Sequence, residues 1–250
     1  MEGIKVIDPE TCPLKGEKGG LEYRRLYDSA DGVVGICHQP SGFDHAEHWH
    51  ASDELILGLE GCAHTRVSDE HFEMIREGQC IVPSSMVCHQ TRTNMDEGFT
   101  CLYFFPDGPQ DDRVYHHAGD SSQRAAGWPL CSAPLALSSD GSGSYPILDS
   151  NAWNCTMVLL HIGSFESIEI LDYRFVYVMM GEVALLAPAG EENSGSPVIL
   201  KEAHLGVIEP GTLGPGVMKL SLSRGTAAKI FLLKDKSRPS KVNGVSLSYM

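Results

Sequence analysis

The chain has no run approaching about 18 consecutive apolar residues, so no segment is expected to cross a membrane as a helix. No CxxC pair occurs. Its eight cysteines, at positions 12, 37, 62, 80, 88, 101, 131 and 155, are scattered, whereas structural zinc sites use tighter pairs. The opening stretch, MEGIKVIDPETCPLKG, contains no apolar core of a secretory signal. A cytoplasmic location with reduced thiols is therefore expected, not a disulfide framework. Basic residues are scarce: 19 Lys and Arg stand against 33 Asp and Glu, a formal charge of -14. Nucleic acid and anionic lipid are both held by basic surfaces, so neither is an expected partner. A long amphipathic helical pattern is missing as well.

What is present is a series of short β-branched and aromatic runs with turn residues between them. GVVGICH (32–38), ELILGL (54–59), QCIVP (79–83), FTCLYFF (99–105), TMVLLHI (156–162), RFVYVMM (174–180), EVALLAP (182–188), HLGVIEP (204–210) and KIFLL (229–233) are the clearest. Such spacing, with 26 Gly and 14 Pro, predicts an all-β protein of antiparallel strands in sandwiches or barrels. Between Pro106 and about Ser150 the pattern lapses into PDGPQDDR, HHAGDSS and SSDGSGS, which reads as a linker or long connection. ELILGLEG (54–61) resembles FVYVMMGE (175–182), and EGQCIVPSS (77–85) resembles LGVIEPGT (205–212). This internal likeness predicts two β-domains of similar build, at 1–120 and 121–250.

Most of the ionisable chemistry sits in GFDHAEHWHASDELILGLEG (42–61). Side chains alternate faces along a strand. His48 and His50 are two apart and Glu54 is four beyond, so an unbroken strand would point all three to one face. A glycine turn at Gly61 would let the chain double back, and His89, in VPSSMVCHQTRTN, is the candidate fourth ligand. Three imidazoles and a carboxylate suit a borderline divalent metal. Left unpaired in a barrel interior, such groups would cost several kcal/mol each, on the order of the penalties known for buried charges. The bland alternative is a solvated edge with an ordinary surface carboxylate.

The same segment resembles the first signature of the cupin superfamily, G-x5-H-x-H-x3-E-x6-G, at Gly42, His48, His50, Glu54 and Gly61. The second signature, G-x5-P-x-G-x2-H-x3-N, is matched at Gly78 and His89. Pro83 comes one place early, Asn94 one place late, and Ser85 or Met86 stands where glycine is usual. The match covers about residues 30–106. It implies a double-stranded β-helix, or jelly-roll, barrel holding one divalent metal through His48, His50, Glu54 and His89. Iron(II) is the leading expectation, with manganese, nickel or zinc as alternatives. Aligning Gly181 with Gly61 and Pro210 with Pro83 puts Ile168, Ile170, Arg174 and Gly216 at the ligand positions. The second half thus resembles a degenerate cupin, and the whole chain a bicupin.

Around the motif, His38 and His45 are candidate substrate contacts, each with an exposed or second-sphere alternative. Arg92 is a candidate carboxylate clamp, or else a solvent-facing arginine. Tyr103 is a candidate proton donor, or else a core tyrosine. Cys88 is expected to pack, Arg174 to lie at the surface or bind an anion, His116 and His117 to be exposed in the linker, and Trp128 and Trp153 to anchor packing. The resemblance implies a metal-dependent enzyme acting on a small organic molecule. An iron(II) oxygenase or dioxygenase leads, and a lyase, isomerase or decarboxylase using the metal as Lewis acid is the alternative. A metal-dependent ligand sensor and a storage protein are the competing classes, and a homodimer is the expected assembly.

Overall fold

A computed structural model of the chain describes residues 3–29, 32–67, 71–106, 131–132, 143–149, 153–161, 168–170, 173–186, 196–209, 218–235, 241–242 and 245–246. His116, His117, Trp128, Pro210 and Gly216 lie outside them. Apart from a 3-10 turn at Pro9–Thr11, the regular elements among the described residues are strands, so the all-β expectation holds. They fall into two compact units, Glu10–Ser132 and Met1–Pro9 with Ala133–Met250. The first strand, Ile4–Ile7 (β1), therefore belongs with the C-terminal residues rather than with 1–120. It pairs antiparallel with Leu205–Ile208, which gives that strand's edge a hydrogen-bonding partner.

The first unit contains β2 (Leu14–Gly16), β3 (Glu22–Ser29), β4 (Gly32–Gln39), β5 (Leu55–Val67), β6 (Glu73–Arg76), β7 (Gln79–Ile81), β8 (His89–Thr93), β9 (Phe99–Phe105) and β10 (Cys131–Ser132). Their order is β10-β7-β5-β9-β4-β3-β2, with β6 and β8 pairing to the outer half of β5. FTCLYFF in β9 is buried at nearly every position because β5 and β4 flank it and both its faces are covered. A near-continuous apolar run is the signature of such a strand. Phe99, Cys101, Tyr103 and Phe105 pack with Val33, Cys37 and Ile56 in one core.

Gly61 is not the expected reversal. It lies in mid-strand on β5, at φ 70°, where the register with β9 shifts between Gly58 and Glu60. There β5 leaves β9 and continues against β6 and β8. A Cβ at Gly61 would collide with the Gly98 carbonyl oxygen, so the bulge requires glycine.

The second unit contains β11 (Gly143–Asp149), β12 (Trp153–His161), β13 (Ile168–Ile170), β14 (Phe175–Leu186), β15 (Val198–Lys201), β16 (Leu205–Ile208) and β17 (Met218–Asp235). Its long strand β14 pairs with β17, β16 and β15, as β5 pairs with β9, β7 and β6. Gly181 again interrupts the strand, at φ 86°. The internal likeness read from the sequence thus recurs as a shared pairing scheme. Val176, Val178, Leu200, Leu220, Ile230 and Leu232 are at the centre of this unit's core. The expected linker to Ser150 is interrupted by β11, whose backbone pairs with β12 despite the Gly and Ser around it. Arg174, expected at the surface, is 7% exposed, with its guanidinium 5.5 Å from the Phe175 ring.

Candidate metal centre

Residues 43–54 form no continuous strand. They run antiparallel to 83–93 through spaced backbone hydrogen bonds. His45 N–H donates to Thr91 O at 3.0 Å, and His48 and His89 exchange two bonds at 3.0 and 2.8 Å. Met86 N–H donates to His50 O at 2.7 Å, and Glu54 N–H to Pro83 O at 3.0 Å. The unbroken strand expected from His48 to Glu54 bends at Ala51 and Ser52, and just beyond the bend the Asp53 carboxylate accepts the Ser85 N–H at 2.7 Å. Convergence survives the bend because both segments are tied to each other. Met86, at the end of the connecting turn, has φ 64°, a left-handed conformation that favours glycine. This settles which residue stands at the motif's glycine position.

One ligand-capable atom from each of His48, His50, Glu54 and His89 lies within 4.8 Å of the others. All four side chains are largely sequestered; His48 is 3% and His89 2% exposed. Ligands about 2.1 Å from a common ion sit roughly 3 Å apart when adjacent and 4.2 Å apart when opposite, so the 4.8 Å span needs to close by about 0.6 Å at most around one divalent metal. The Nδ1 of His48 is 2.7 Å from Ala46 O and that of His89 is 3.1 Å from Val87 O. Carbonyls at Nδ1 fix the tautomer and leave Nε2 as the inward donor.

On the inner side, His89 Nε2 is 3.1 Å and His50 Nε2 3.4 Å from the same Glu54 Oε2. His89 therefore has an acceptor at each ring nitrogen. A neutral imidazole carries one N–H, so both contacts are satisfied together either when the ring carries both protons beside the ionised Glu54 or when a cation takes the Nε2 lone pair. Burial, followed by the neighbouring His89 and His45, pushes His48 down to about 2, so its ring is neutral and ready to ligate. Burial pushes the Glu54 carboxyl up, but hydrogen bonds from His50 and His89 outweigh it and hold the group well below the usual carboxylate range. The set is thus three imidazoles and an ionised carboxylate.

These four residues open onto a cavity of about 60 Å³, room for roughly four to six waters. Tyr103 lines it and is buried, and the His45 ring lies 4.3 Å from His48. The structure therefore brings both to the site. His38 and Arg92 it does not. The His38 side chain is exposed and meets Thr100 Oγ1 at 3.0 Å. Arg92 is held at the surface by Asp44 at 3.0 Å and by the Phe72 ring. Cys88 is buried away from the cavity. In place of His38 and Arg92, their strand neighbours Cys37, Gln39 and Thr91 line the wall, together with Tyr23 and Cys101. Counting in twos forward from Cys101's partner Cys37, or forward from His89, would have found Gln39 and Thr91.

No protein-family model matches the sequence, and no curated protein matches it. Solved structures of oxalate decarboxylase from Bacillus subtilis share its fold. The enzyme at pH 4.6 superimposes with a TM-score of 0.68 at 14% identity, over 92% of this chain and 75% of that one. A structure concerned with substrate binding and a reaction-specificity switch gives 0.68 at 13% identity, over 93% and 77%. One concerned with the Mn(II) centres of that enzyme gives 0.67 at 12%, also over 93% and 77%. The chain accordingly shares the all-β fold of these structures and presents a site suited to a divalent metal.

Proposed function

We propose that this chain is a metal-dependent cupin enzyme acting on a small organic molecule, with one divalent ion held by His48, His50, Glu54 and His89. The reading is carried by the convergence of one donor atom from each of these four sequestered side chains to within 4.8 Å of one another. When bound, such an ion supplies Lewis acidity toward substrate oxygens. The chain itself supplies the rest. The carbonyls of Ala46 and Val87 orient the rings, the Tyr103 ring lines the cavity with its hydroxyl buried against Gly35, and Phe105, edge-on to His50 at 5.1 Å, keeps that side apolar.

Of the two enzyme classes, the Lewis-acid one, decarboxylases included, has the better support. The structural relatives are named as decarboxylases, one of them with Mn(II) centres. Nothing comparable favours an iron(II) oxygenase, so manganese replaces iron as the leading metal. We further read the C-terminal unit as a second, closed cupin barrel without ligands, and the assembly as a homodimer. Metal analysis of the purified protein, followed by parallel assays of CO2 release and oxygen uptake on candidate acids, tests the reading. Manganese with product formation independent of oxygen supports it. Stoichiometric oxygen consumption would return the iron oxygenase to first place.

A further inference from the structure

The inner wall of the cavity carries two thiols on neighbouring strands. Cys37 on β4 and Cys101 on β9 are register partners, directly opposite one another across an antiparallel pair. Both are free thiols, both line the cavity, and they are 9% and 4% exposed. Directly opposite residues of an antiparallel pair share a face, with Cα atoms about 4.5 or about 5.5 Å apart and Cβ atoms about 4.5–5.5 Å apart. A disulfide needs Cα atoms about 4.4–6.8 Å apart and Cβ atoms about 3.5–4.5 Å apart. The two strands therefore already stand at a bridging separation, and the Cβ atoms need to approach by no more than about 1 Å. The side chains also meet: a hydrogen bond with Cys37, followed by burial, pushes the Cys101 thiol well above its ordinary range.

The other cysteines of this unit are placed differently. Cys62 has Arg76 as its register partner and donates to Glu97 at 2.9 Å. Cys80 has Cys131 as its register partner, but Cys80 does not line the cavity. Burial and protonation make Cys37 and Cys101 slow nucleophiles and keep bulky or charged reagents from them. A small neutral oxidant that enters the cavity of about 60 Å³ meets both at once.

We propose that Cys37 and Cys101 form an oxidisable dithiol in the cavity wall, a site of reversible modification that hydrogen peroxide closes to a disulfide. The sulfur of Cys37, the more exposed of the two, attacks one peroxide oxygen. An S–O bond forms, the O–O bond breaks and a water leaves. The Cys101 sulfur then attacks the Cys37 sulfur. An S–S bond forms, the S–O bond breaks and a second water leaves with the Cys101 proton. Two electrons pass from the two thiols to the peroxide. Because the second thiol is adjacent, the sulfenic acid is trapped before it climbs to sulfinic acid. The inference uses no metal ligand and stands apart from the metal reading above.

The test treats folded, full-length protein with excess hydrogen peroxide, quenches with catalase, unfolds in iodoacetamide and maps the peptides by mass spectrometry. Met95, 86% exposed, gauges the oxidant dose by its conversion to sulfoxide. Once Met95 is fully converted, a cross-linked peptide pair joining Cys37 to Cys101 is expected, two hydrogens lighter than the reduced pair and released by dithiothreitol. Cys101→Ser should abolish the link and leave Cys37 as sulfinic or sulfonic acid. The wild-type map decides by itself, whether or not the variant folds. Cys37 and Cys101 both alkylated at that dose, or both carried as separate sulfinic acids, would overturn the inference.

Discussion

His89 meets a carbonyl on one ring nitrogen and a carboxylate on the other, and much of the account hangs on that side chain. Replacing it with alanine removes one ligand and frees Glu54 from its shorter imidazole contact. The expected result is at least about a hundredfold loss of metal affinity, beyond what loss of an outer-sphere partner costs, measured by competition with a chelator. His48→Ala should behave the same way, whereas His38→Ala and Arg92→Ala should leave metal affinity unchanged, because both lie outside the cavity. The four ligands were legible in the sequence because their spacing reflects strand periodicity and motif interval together. The cavity wall was not. His38 and Arg92 are the chemically conspicuous residues of their strands, yet each points away, and the quieter Gln39 and Thr91 point in. Which face is inward depends on register across strands, and residue type does not report it.

At the scale of elements, two backbone positions set the site. The β5 bulge needs Gly61, and Gly61→Ala should destabilise the fold by about 2 kcal/mol or more, through a left-handed φ and a backbone collision. Gly19, also at positive φ but with open space around its would-be Cβ, should cost about 1 kcal/mol in the same substitution. Urea unfolding of both variants checks the difference. Met86 presents the opposite case. It pays for a left-handed conformation that glycine adopts freely, so Met86→Gly should stabilise the protein by up to about 1 kcal/mol. The motif's departure at this turn was visible in the sequence. That the turn keeps its geometry regardless was not, because it is enforced by the Asp53–Ser85 and Met86–His50 hydrogen bonds. Likewise β11 was hidden by its Gly, Ser and Pro content, and is a strand because β12 offers it a partner.

For the whole molecule, the buried ionisable groups tie stability to pH. Folded His48 stays neutral down to about pH 2, while the unfolded chain takes up that proton below about 6.5. Glu54 is held below its ordinary 4.5, so there too the unfolded chain protonates first. In both cases the unfolded state binds more protons as pH falls, and the stability present at pH 7 is lost progressively below 6.5 and faster below 4.5. The slope is up to about 1.4 kcal/mol per pH unit for each proton. Denaturant unfolding of metal-free protein at pH 7.5, 6 and 5 should show the decline; a flat or rising series would contradict it. Metal at saturating concentration should raise the melting temperature, since only the folded chain presents the assembled site.

The most direct test of the central claim is the metal content of tag-free protein after Mn(II) loading and removal of excess, beside His48→Ala and His89→Ala. The account predicts about one ion per chain in wild type and little or none in either variant. Wild-type protein without metal, or variants that retain it in full, would contradict the assignment of His48, His50, Glu54 and His89 as a metal centre.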